Sequence, residues 1–112
     1  RASKDKNMND RIAQIQALLK KEPGNVFLHY SLGKEFASAN QLDDALAAFA
    51  ECTRRDENYL PARVEAGKCL RAAGRMDEAR NAFATALVIA QNNGEQHSAD
   101  YIRQQLESLR TS

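Results

Sequence analysis

Between Val26 and Ala39, Leu28, Leu32 and Phe36 recur every fourth position. That spacing lays one apolar stripe along a helix. Two more stripes follow the same rule. Ile12, Ile15, Leu18 and Leu19 predict a helix over 9–21, and Ala99, Ile102, Leu106 and Leu109 predict a last helix over about 96–110. Between them the chain writes one pattern twice: 42-LDDALAAFA-50 returns as 76-MDEARNAFA-84, each shared residue displaced by 34. Aligning 26–59 with 60–93 gives nine identities in 34 columns, adding Gly33/Gly67, Lys34/Lys68, Ala39/Ala73 and Asn58/Asn92 to the five within those two stretches.

A repeat of that length signals stacked supersecondary units. Asn40-Gln41 and Gly74-Arg75 interrupt each copy and predict two antiparallel helices per repeat, with Gly74 suited to a left-handed C-cap. The pairs Asp43-Asp44 and Asp77-Glu78 then fall in a first helical turn, where negative charge complements the helix dipole. They read as helix-start chemistry and not as a catalytic dyad. Gly33 and Gly67 stand mid-helix, where glycine costs about 1 kcal/mol relative to alanine, so close approach of a neighbouring helix is expected there.

On these columns the segment 29–58 resembles a tetratricopeptide repeat: Leu32-Gly33 and Phe36 in the first helix, then Ala45, Phe49 and the small Cys52 in the second. The second copy matches with Ala66-Gly67, Leu70, Ala79, Phe83 and Ala86. Two columns depart from the family. His29 and Arg63 replace the early aromatic, and Glu57 and Gln91 replace the closing proline, although Pro23 stands where a preceding repeat would close. The resemblance implies an all-α, right-handed superhelical solenoid of antiparallel helix pairs with about six helices. A half repeat would precede repeats 26–59 and 60–93, and the last helix, polar at Arg103, Gln104, Gln105 and Glu107, would cap them. Residues 9–112 are expected to form a single domain, with 1–8 a disordered leader or tag.

Composition narrows the function. Charged residues make up 28% and nearly cancel to a net +1, against the basic excess of a nucleic-acid or acidic-membrane binder. No apolar run approaches a membrane span and no secretion signal is present, so a cytoplasmic protein is expected. Cys52 and Cys69 lack a CxxC spacing or a histidine cluster and read as buried thiols acting as small hydrophobes. No phosphate loop, HExxH or GxSxG occurs, and His29 and His97 have no neighbours arranged for nucleophilic or metal work. His29 is expected to be a partly buried structural imidazole. The expectation is no enzyme, no cofactor and no metal.

The candidate site lies opposite the packing stripe. At about 100° per residue, Phe27, Tyr30, Lys34 and Ala37 share the face turned from Leu32. Their equivalents one repeat later are Pro61, Val64, Lys68 and Arg71. In the resembled family such columns line a concave groove, which implies a partner-binding set of Phe27, Tyr30, Lys34, Val64, Lys68 and Arg71. Apolar residues beside three cations point to a protein or peptide partner, an acidic segment being one option. The competing expectation is that Phe27 and Tyr30 pack on helix 9–21 or on the cap. A carboxylate clamp of the chaperone-tail receptors is not expected, because Lys34 and Lys68 stand where that subtype places asparagine. A scaffold or adaptor, monomeric or weakly self-associating, is the leading expectation. A self-assembly module is the alternative, and an RNA-binding helical repeat is disfavoured by the balanced charge.

Overall fold

The computed structural model describes the backbone of residues 2–110 and the side chains of residues 9–110. Among the described residues there are six α-helices and no strand: α1 (Ala2–Lys21), α2 (Val26–Ser38), α3 (Leu42–Arg55), α4 (Leu60–Ala72), α5 (Met76–Asn92) and α6 (Gln96–Arg110). The repeat is exact in its helix starts: α4 begins 34 residues after α2, and α5 begins 34 after α3. The first helix differs from the expected 9–21 span, since α1 begins at Ala2. The side chains of 1–8, expected to form a leader or tag, lie outside the described residues.

The chain divides into two compact units, Arg1–Glu57 and Asn58–Ser112. In the first, α2 packs on both α1 and α3. Ile12, Leu32 and Ala48 are buried together, with Ile15, Leu19 and Phe36 packed around them. Leu18 does not join this face. It is 46% exposed. In the second unit α5 packs on both α4 and α6. Phe83, Ala79, Ala86 and Ala90 of α5 are fully buried, as are Ile102 and, almost completely, Ala99 and Leu109 of α6.

The two mid-helix glycines have one physical reason. A Cβ on Gly33 would sit 2.5, 2.7 and 2.8 Å from the Cε1, Cδ1 and Cζ atoms of Phe49. On Gly67 it would meet the same three atoms of Phe83 at 2.7 to 3.0 Å. Each glycine is a notch that a phenylalanine ring of the following helix fills. The ring, not the neighbouring backbone, makes the close approach.

Three helices end in the same hydrogen-bonded turn. Asn40 (φ 60), Gly74 (φ 79) and Gly94 (φ 71) adopt left-handed backbone just past α2, α4 and α5. Each next residue donates back across the turn: Gln41 to Phe36 at 2.9 Å, Arg75 to Leu70 at 2.9 Å, Glu95 to Ala90 at 2.8 Å. That satisfies carbonyls which would otherwise lack donors. Asn40 does in the first repeat what Gly74 does in the second. After the turn, α3 and α5 start with no side-chain cap bond, and acidic residues Asp43, Asp44, Asp77 and Glu78 occupy their first turns.

The repeat loses register at its end. The 14-residue α3 stops at Arg55, whereas the 17-residue α5 runs on through Asn92 before Gly94 turns the chain. The identity Asn58/Asn92 is therefore one of sequence only, one residue lying in a loop and the other in a helix.

Candidate partner-binding site

The α2 helix starts where the Asn25 side chain accepts from the Leu28 backbone N–H at 3.1 Å. That cap places Phe27 in the first turn, 62% exposed. One turn later Tyr30 lies beside it, ring centroids 6.3 Å apart, and also reaches Phe49, 6.0 Å away. Lys34 follows, exposed, with its Nζ 6.0 Å above the Tyr30 ring. The first unit thus brings Phe27, Tyr30 and Lys34 into one row on α2. Of the two competing expectations for the aromatics, neither describes Tyr30 fully. It packs on the core ring of its own repeat, Phe49, while Phe27 is the more exposed of the two.

In the second unit, α4 carries Pro61 as its second residue, where the missing N–H costs nothing in a first turn. Val64 is half-buried. Lys68 places its Nζ 3.3 Å from Oε2 of Glu65, one turn back on the same helix. Arg71 is half-buried, its guanidinium 5.7 Å from the Phe83 ring centroid. Sequence reasoning named the lysine and missed its carboxylate partner. The i, i+3 spacing of Glu65 and Lys68 was the available signal. A related pairing occupies the first unit, where Arg11 of α1 donates from Nε to Glu35 of α2 at 2.9 Å. That bond ties up the carboxylate adjacent to Lys34.

The remaining candidates are structural. His29 is partly buried, with Nε2 2.8 Å from the Pro23 carbonyl oxygen. A carbonyl only accepts, so the Nε2–H donates and fastens the turn before α2. His97 is exposed near the start of α6. Cys52 is fully buried and its thiol donates to the Val26 carbonyl at 3.5 Å; burial pushes its pKa up to about 11. Cys69 is likewise a buried thiol and not half of a disulfide. Among the described residues no group of three or more His, Cys, Asp or Glu side chains could hold a metal ion. No helix of the described residues is long and apolar enough to cross a membrane.

Comparisons with known proteins agree with the helical-repeat fold. The tetratricopeptide repeat family profile matches residues 36–99, more than half of the chain. A tetratricopeptide repeat-containing protein of Pseudomonas aeruginosa is 28% identical over 87 residues, covering 78% of this chain and 83% of that protein. Among solved structures, PcrH in complex with the chaperone binding region of PopD superimposes with a TM-score of 0.86 at 20% identity, covering 97% of this chain and 83% of PcrH. The Yersinia enterocolitica type III secretion chaperone SycD, bound to a peptide of the translocator YopD, gives 0.86 at 19% identity, covering 97% of this chain and 84% of SycD. Proteins of this fold are in general interaction modules without catalysis. The doubled glycine notch, the repeat of helix starts and the profile match together place the chain in the tetratricopeptide repeat family.

Proposed function

We propose that the protein is a non-catalytic scaffold or adaptor that binds a peptide segment of another protein through Phe27, Tyr30 and Lys34 of α2 and Val64, Lys68 and Arg71 of α4. The observation that carries this reading is the row on α2. A 62%-exposed phenylalanine continues into a tyrosine and a lysine, an apolar patch ending in a cation. An exposed aromatic continuous with a second ring and a cation is a surface that a peptide side chain can cover. PcrH and SycD, which share the fold, are both known with a peptide region of another protein bound. Lys34, Lys68 and Arg71 favour an acidic or carboxylate-bearing segment through charge-assisted hydrogen bonds. At Lys68 the ligand has to compete with Glu65. A reducing, cytoplasmic setting fits the two buried thiols.

The test is a titration of the native partner into wild type and into Lys34→Glu/Lys68→Glu. Each exposed pair contributes about 0.2–1 kcal/mol, so single changes are expected to be nearly silent, while the double change adds repulsion. Affinity should fall at least tenfold with helicity and melting unchanged. Equal affinity for the folded double variant rejects the site. A second reading, self-assembly, draws on Leu18 of α1 and Tyr101 of α6, 46% and 40% exposed. Sedimentation equilibrium separates the two, since only self-assembly makes the mass rise with concentration.

A further inference from the structure

The turn that joins α5 to α6 contains the sequence's one Asn–Gly pair, Asn93-Gly94. We infer that Asn93 is a spontaneous deamidation site and that its conversion loosens α6 from α5. The chemistry needs only the chain and water. The Gly94 amide nitrogen, on losing its proton, attacks the Asn93 side-chain carbonyl carbon Cγ. A C–N bond forms, the Cγ–Nδ2 bond breaks, and ammonia leaves, giving a five-membered imide. Water then opens that ring at either carbonyl. Attack at Cγ breaks the new bond and gives aspartate. Attack at the backbone carbonyl breaks the original peptide bond and gives isoaspartate, with the main chain rerouted through the side chain. No redox change occurs.

Several features favour Asn93 over the other described asparagines. Its successor has no side chain to shield the attacking nitrogen, and both residues are exposed. A Cβ built on Gly94 would meet nothing within 4 Å, so the described surroundings of the turn are open. Glycine also allows the backbone rotation that the imide requires. One feature opposes the reaction in the closed turn. Gly94 donates its N–H to the Gln91 carbonyl at 3.1 Å, and Asn93 sits at φ −91, ψ −1, a helical geometry that keeps the nitrogen away from Cγ. The reaction therefore proceeds from the locally opened turn, and its rate tracks that opening.

The product then favours further opening. A new carboxylate appears at the C-terminal end of α5, the negative end of the helix dipole. The Asn93 Nδ2 donation to Glu95 Oε2 at 3.5 Å is replaced by two facing carboxylates. In the isoaspartate form the connection also gains a methylene inside a turn whose Glu95-to-Ala90 bond, at 2.8 Å, depends on its length. The helix released is α6, which buries Ala99, Ile102 and Leu109.

The experiment incubates the whole chain at mildly alkaline pH below its melting temperature and maps peptides by mass spectrometry with separation of aspartate from isoaspartate. Conversion at Asn93 should be several-fold faster than at Asn40, which is also exposed and in an αL turn but precedes Gln41. Asn93→Gln should suppress it. Conversion at Asn93 no faster than at Asn40 overturns the inference. Asn93→Asp, which supplies the charge without incubation, should speed amide hydrogen exchange in α6 several-fold. Unchanged exchange throughout α6 overturns the loosening.

Discussion

Gly33→Ala is the most informative single-atom perturbation, because two known effects oppose each other there. Alanine is favoured over glycine in a helix interior by about 1 kcal/mol. The added Cβ, however, would lie 2.5 Å from Phe49 Cε1 and within 2.8 Å of two more ring atoms. Contacts that short do not persist, so the ring must move. Phe49 is 1% exposed and touches Tyr30 on its outer side, so the shift is paid in packing. Overpacking of this kind costs about 1–3 kcal/mol, leaving a net loss of about 1 kcal/mol. For a domain of this size that lowers the melting temperature by about 4 °C. The decisive measurement is a double-mutant cycle in chemical denaturation. Phe49→Val removes all three clashing atoms at a cost of about 2–4 kcal/mol, by analogy with large-to-small core changes. In that background Gly33→Ala should become stabilising, giving a coupling of about 1–2 kcal/mol. Gly67→Ala against Phe83 should follow with a smaller loss, since its contacts begin at 2.7 Å. A Gly33→Ala variant more stable than wild type, or an additive cycle, would refute the notch as the reason for glycine.

Two further outcomes follow from the ionisable groups. Cys52, buried and with its thiol pushed up to about 11, should resist alkylation at mildly alkaline pH in the native chain and react quickly in denaturant; equal rates in both would show that the site opens freely. Glu51 accepts from Arg54 and Arg55, chiefly Arg54, and these bonds hold its carboxyl down at about 2. A folded-state value below the unfolded one means that its contribution is fully present above the ordinary carboxylate range. It is lost as pH falls from there towards 2. Glu51→Gln should therefore lower stability near neutrality and flatten its acid dependence, and an acid profile parallel to wild type would disprove the linkage.

Much of the architecture was legible because it rests on features that one sequence displays directly. The i, i+4 stripes, the 34-residue interval and the turn residues fix helix number, the starts of α2 to α6 and the left-handed position at Gly74. The places where the reading stops short depend on packing and on helix length, and not on a period. Periodicity puts Leu18 on the apolar face of α1, yet it stays 46% exposed and outside the α1–α2 cluster. The repeat alignment equated Asn58 with Asn92, but the extra length of α5 breaks the register. A close approach at Gly33 is legible in the sequence, whereas the Phe49 ring that makes it is not. At the candidate site, the columns supplied six residues, and geometry added that Lys68 is paired with Glu65 and that Tyr30 and Arg71 lie against core rings.

That last point determines which substitutions can speak about binding at all. In each unit a phenylalanine fills the glycine notch, and a residue of the candidate site lies within ring-contact distance of it: Tyr30 beside Phe49, Arg71 beside Phe83. The two contacts come from different repeat columns, one aromatic and one cationic, so the units present different chemistry over the same core device. It also means that these two side chains serve packing and candidate surface at once. Tyr30→Ala strips an aromatic contact worth about 0.5–1.5 kcal/mol beyond its buried area. A weaker partner affinity in that variant would follow equally from a shifted Phe49. Lys34 and Lys68 differ in this respect. Their charged ends reach the Tyr30 face and Glu65, and neither residue is in the buried core. Reversing both charges perturbs the proposed surface while leaving the notches filled. The lysine pair can therefore separate recognition from folding, which the aromatic and arginine positions cannot.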